Sequence, residues 1–104
     1  MGILVICSYK PRPGHEDEAR ELMAAHVPLL RKHDLVTDRA VVQGEGKDGT
    51  LVEIFEWDSR EKSVSAPSIP EIGAHWKAMA AAMEFVPMAS LSEAQREFAH
   101  FTPL

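Results

Sequence analysis

Two segments that read as β-strands are apolar on both faces, and this constrains the fold more than any other feature of the chain. Residues 3–10, Ile-Leu-Val-Ile-Cys-Ser-Tyr-Lys, begin β-branched, are too short for a helix and stop at Pro11-Arg12-Pro13-Gly14. Residues 50–57, Thr-Leu-Val-Glu-Ile-Phe-Glu-Trp, form the strongest strand pattern in the chain. With a side-chain period of two, Ile3, Val5 and Cys7 oppose Leu4 and Ile6, and Leu51 and Phe55 oppose Val52 and Ile54. A sheet covered by helices on one side is polar on the other if that side meets water. Here it is not, so a second layer is predicted. Two-fold pairing of identical chains is the commonest way to supply one; a C-terminal tail folded back over the sheet is the alternative.

The remaining elements place these strands in one α+β domain spanning 1–104, with 92–104 as a C-terminal tail. A helix is predicted over about 15–34. Its first turn is acidic (Glu16, Asp17, Glu18) and its end is basic (Arg31, Lys32, His33), as the helix dipole favours. Pro28 is expected to kink or split it near residue 27. Residues 39–43 read as a strand, and the glycine-rich stretch 44–49 as the turn of a hairpin. Asp58 with Glu61, and Ser68 with Glu71, have capping-box spacing, the second opening a helix that runs to about Phe85. Residues 85–91 make a weak fourth strand, and 92–95 a helical turn. The order β-α-β-β-α-β predicts a ferredoxin-like, four-stranded antiparallel sheet with both helices on one face.

Composition narrows the partners. The net charge of −5 and the scattered Lys and Arg argue against nucleic acid or an anionic membrane, since phosphate neutralisation needs a basic surplus. Cys7 is the single cysteine, which excludes an intrachain disulfide and a multi-cysteine metal site. The apolar run at the N-terminus is too short to span a membrane and has no charged leader, so a cytoplasmic location is expected. No histidine pair sits at i, i+4 with a carboxylate, so no metal is expected.

Taken together, the Lys10-Pro11-Arg12-Pro13-Gly14 strand end, the acidic start Glu16-Asp17-Glu18-Ala19, the segment Glu53-Ile54-Phe55-Glu56-Trp57-Asp58-Ser59 and the His75-Trp76 pair after Pro70 resemble the dimeric α/β-barrel superfamily, in particular its antibiotic-biosynthesis-monooxygenase-like (ABM-like) proteins. The resemblance covers nearly the whole chain. It implies a homodimer joined through the sheet faces and a cavity between sheet and helices. Relatives of this kind include oxygenases of phenols and quinols that use no cofactor, haem-degrading oxygenases, isomerases and members without known activity. His75 matches the iron-ligating position of the haem-degrading branch. The asparagine of that branch's first strand is replaced here by Cys7 or Ser8, and its linker tryptophan is missing from Ser63-Val64-Ser65-Ala66.

His26 and His75 are the predicted catalytic residues. Both sit on or beside helix faces aimed at the implied cavity, and a histidine that titrates near neutrality can take a proton from a phenol. The competing role for each is a core-edge histidine hydrogen-bonded to backbone. Tyr9, Trp57 and Trp76 are predicted to shape a substrate pocket, or else to fill the core. Arg39 is a candidate to hold an anionic group, with a solvent-facing strand start as its alternative. Cys7, in an apolar strand with no basic neighbour, reads as an inert thiol. Three functions follow in order: a cofactor-independent monooxygenase or related tailoring enzyme for an aromatic or polyketide-like compound; a non-catalytic ligand-binding or structural homodimer; and haem binding through His75.

Overall fold

The structure is a computed structural model that describes residues 2–104. Five strands, β1 (Ile3–Pro11), β2 (Val42–Glu45), β3 (Leu51–Trp57), β4 (Met83–Val86) and β5 (Thr102–Pro103), form one open antiparallel sheet in the order β4-β1-β3-β2-β5. Three helices, α1 (Glu16–Lys32), α2 (Arg60–Ser65) and α3 (Pro70–Ala82), complete the α+β fold. No helix among the described residues is long and apolar enough to cross a membrane.

Register decides which residues meet the helices. β1 pairs with β3 from Ile3↔Trp57 through Cys7↔Glu53 to Tyr9↔Leu51, so the odd-numbered residues of both strands share a face. Against that face pack Ala19, Met23, Val27 and Leu30 of α1, and Ile72 and Met79 of α3, all essentially solvent-free. Burial of these side chains is the main stabilising term, at roughly 1.5–3 kcal/mol for each large one.

The expected four strands become five because the tail returns. After two short 3-10 turns it lays Thr102 and Pro103 beside Glu45 and Gly44, and Leu104 N–H donates to the Gln43 carbonyl. Phe101 lies across Gly44 so closely that a Cβ there would stand 3.1 Å from its own. The tail thus covers part of the second sheet face, burying Val52 with help from Met88 and Pro103. The other part stays open: Leu4, Ile6 and Val42 are 58%, 45% and 59% exposed, and Ile6, Ile54 and Val42 stand in one row across three strands.

Other boundaries shift for local reasons. α1 runs unbroken through Pro28, with the buried Val27 and Leu30 fixing it to the sheet on either side of the ring. It stops where Asp34 takes a left-handed conformation (φ 56°), letting the Leu35 and Asp34 amides close back on the Leu30 and Arg31 carbonyls. Ser59, not Asp58, caps α2 by accepting from the Lys62 amide, which frees Asp58 to pair with the Lys62 ammonium. α3 begins at Pro70 with no side-chain cap; Glu71, free of a capping box, pairs with His33 and Lys32. β2 and β4 begin three residues later and two residues earlier than predicted, at Val42 and Met83.

Several carboxylates outside the main core are held below their ordinary range. A hydrogen bond from Thr37, then Arg39, lowers Glu56; Lys62 lowers Asp58; and His33, then Lys32, lowers Glu71. The Thr50 amide does the same for Asp48, and the Lys47 amide for Glu93. Each binds its proton more weakly folded than unfolded, so its contribution is present above pH 3.8–4.5 and is lost as pH falls through the lowered folded values. The melting temperature is accordingly expected to hold level from pH 7 to about 5 and to fall steeply below about pH 4. Thermal melts across that range check it.

Candidate functional site

The register places an acid where the core should be apolar. Glu53, midway along β3, shares the helix-facing row with Leu51, Phe55 and Trp57 and is 0% exposed. Three donors converge on it. The Tyr9 hydroxyl, on neighbouring β1, donates to Oε1 at 2.8 Å, and His26 Nδ1, reaching down from α1, lies 2.8 Å from the same oxygen. Gln43, its cross-strand neighbour on β2, donates to Oε2 at 2.9 Å and to the Met23 carbonyl at 3.1 Å. An oxygen pair that only accepts is the hydrogen-bonding pattern of a carboxylate.

The fourth partner fixes the imidazole. Trp76 Nε1–H, on α3, donates to His26 Nε2 at 2.9 Å, and indole nitrogen can only donate. Nε2 therefore carries the lone pair and Nδ1 the proton, which is donated to Glu53. Orientation comes from the rings around it: Phe55 meets His26 edge-on at 5.6 Å and His75 lies parallel at 6.0 Å.

Tyr9, His26 and Trp76 of this array, together with Ser8, form the polar wall of a cavity of about 400 Å³, and Glu53 and Gln43 stand behind them without lining it. Val5, Cys7, Phe55, Trp57, Met79 and Phe85 contribute to its apolar walls, within the usual size and character of a small-molecule site. The mouth exists because β4 pairs only with Ser8–Pro11, leaving residues 3–7 of β1 without a partner on that side. Val86, Pro87 and Met88 frame the opening as the chain leaves the sheet.

Electrostatics assign roles within the wall. Burial, then the Glu53 charge, pushes the Tyr9 phenol far above its ordinary value, so it remains an O–H donor. Burial also raises the Cys7 thiol, with Glu53 adding to the effect and a hydrogen bond with Tyr9 opposing it. The inert thiol expected from the sequence fits this setting.

Of the six residues predicted from sequence, four meet here: His26, Tyr9, Trp57 and Trp76. His75 does not. Its Nε2 bonds the Leu22 carbonyl at 2.9 Å, and the residue borders a shallow groove with Ala25, Pro28 and Glu71 on the outer side of the helices. The helical register explains this: one residue from Trp76, its side chain leaves α3 about 100° away. Arg39 is not in the cavity either. It precedes β2, is exposed, and pairs with Glu56 at 3.2 Å. Glu53 and Gln43 were missed. The available signal was parity, because Glu53 falls on the Leu51–Phe55 face of a strand otherwise apolar there.

Among the described residues no group of three or more His, Cys, Asp or Glu gathers as a metal site would require. Comparison with known proteins gives no match: no family model, no curated protein and no solved structure matches this chain.

Proposed function

We propose that this chain is a small, cofactor-independent enzyme of the dimeric α/β-barrel, ABM-like type, acting on an aromatic or polyketide-like compound. The observation that carries the reading is His26, with a lone pair on Nε2 and a buried carboxylate behind Nδ1, in the wall of an apolar cavity. A phenolic or enolic O–H that reaches Nε2 gives up its proton there, and Glu53 stabilises the imidazolium that forms. The anion left behind is electron-rich enough to react with dioxygen. One oxygen atom enters the product and the other leaves as water, the substrate supplying the electrons. Tyr9 and Gln43 hold Glu53 in place, and Trp57 and Trp76 supply flat surface for a ring.

The strand order β4-β1-β3-β2 with α1 and α3 on one face supports the ferredoxin-like topology. The uncovered row of Ile6, Ile54 and Val42 supports a homodimer joined through that face. A reducing cytoplasm suits its lone, half-buried thiol. One observation favours the second reading, ligand binding without turnover: Trp76 already occupies the histidine lone pair. Haem binding has no such support, since His75 lies outside the cavity.

Oxygen-consumption assays over a panel of quinols and anthrone-like compounds test the enzyme reading. With an active compound, His26→Ala is expected to lower kcat by about 10²–10⁴-fold while leaving ligand-induced thermal stabilisation measurable. Stabilisation of the wild type by these compounds with no oxygen uptake would replace the enzyme reading with the binding one.

A further inference from the structure

The polar wall specifies more than a base; it specifies what a ligand must bring. Nε2 of His26 accepts, Nε1 of Trp76 donates, and the two stand 2.9 Å apart. None of the residues lining the cavity is Lys or Arg, and the charged group behind the histidine is an acid. A carboxylate therefore meets a lone pair and a buried negative charge, with no cation to offset them. A ketone or an ether can accept from Trp76 but has nothing to donate to His26. A hydroxyl does both.

Resting on the cavity reading above, we infer that the ligand is a neutral, ring-bearing alcohol or phenol whose hydroxyl inserts between Trp76 and His26. It donates to Nε2 and accepts from the indole N–H, replacing one direct bond by two. Each new bond needs an N···O separation near 2.9 Å, so the nitrogens must part to roughly 5 Å. Trp76 is the partner that moves. His26 is pinned by Glu53 and packed against Phe55, whereas Trp76 is only half-buried and borders the open cavity. The indole thus marks the empty site and becomes part of the filled one.

The experiment uses three probes of one shape, 2-naphthol, 2-methoxynaphthalene and 2-naphthoate, titrated into ¹⁵N,¹³C-labelled wild-type protein. The readouts are the Trp76 indole N–H, the His26 ring nitrogens, and the methyl groups of Met79 and Val5 as markers of cavity occupancy. 2-Naphthol is expected to move all of them and to bind about tenfold more tightly than the ether, the worth of one net hydrogen bond. The carboxylate is expected to bind more weakly than either. Ether or carboxylate affinity equal to that of the alcohol would overturn the inference and leave the cavity reading standing. So would bound naphthol that shifts Met79 and Val5 but neither Trp76 nor His26. If no probe shifts Met79 or Val5, the inference and the cavity reading fall together.

Discussion

Replacing Glu53 by alanine is expected to destabilise the fold by about 3–5 kcal/mol, the usual cost of removing one partner from a buried charged network. For a domain of this size, that corresponds to a fall in melting temperature of at least about 12 °C. The reason is stoichiometric. Alanine leaves the Tyr9 hydroxyl, the His26 Nδ1–H and one Gln43 N–H without the acceptor they share, at a position where the native carboxylate is fully buried. Glu53→Gln separates the charge from the packing. Its single oxygen can still accept from Tyr9 and His26, since both bond the same Oε1 of the native residue. Its amide then faces Gln43, which must turn over and lose its bond to the Met23 carbonyl. About one hydrogen bond is lost, so roughly 1 kcal/mol is expected. Thermal or urea melts of the two variants give the comparison, and equal, small losses in both would remove Glu53 from its assigned role.

The second large effect concerns association. Wild-type protein is expected to sediment at twice the chain mass of 11.5 kDa, and Ile6→Asp combined with Val42→Asp at the monomer mass. Both side chains are about half exposed in the single chain, so two aspartates there leave the monomer fold intact, as circular dichroism would show. In a dimer they would bury unpaired charges, weakening association by more than about 100-fold. Val52 is unsuited to this test, because it is buried beneath the returning tail and its replacement would damage the fold itself. A wild-type monomer at micromolar concentration, or a double variant that still pairs, would end the proposal of a sheet-face dimer.

The fold was legible in the sequence where the physics is local and periodic. Alternation in β1 and β3, the polarity of α1 from Glu16 to Lys32 and the turn residues after β2 identified the elements, although Gly44 and Glu45, expected in the turn, belong to the strand. What was hidden depends on long-range register. Whether Pro28 breaks α1 is decided by what Val27 and Leu30 pack against. Likewise, a fifth strand made of Thr102 and Pro103 has no strand signal of its own and depends on pairing with β2, where Gly44 leaves room for Phe101 to lie across it. The site divides the same way. His26 and Trp76 were found because they occur on apolar helical faces, yet their direct bond joins residues fifty positions apart. In the sequence Glu53 is one polar residue in a strand; its importance appears only when β1, β2 and α1 each deliver a donor to it.

His26 stands in the cavity wall with Nδ1 protonated toward Glu53 and Nε2 unprotonated, accepting from Trp76, and the ¹⁵N spectrum of its imidazole reads this arrangement out. Long-range ¹H–¹⁵N correlation at neutral pH is expected to show one pyrrole-type nitrogen at Nδ1 and one pyridine-type nitrogen at Nε2, without tautomeric averaging. A proton on Nε2, or a ring that exchanges freely between its two tautomers, would contradict the account.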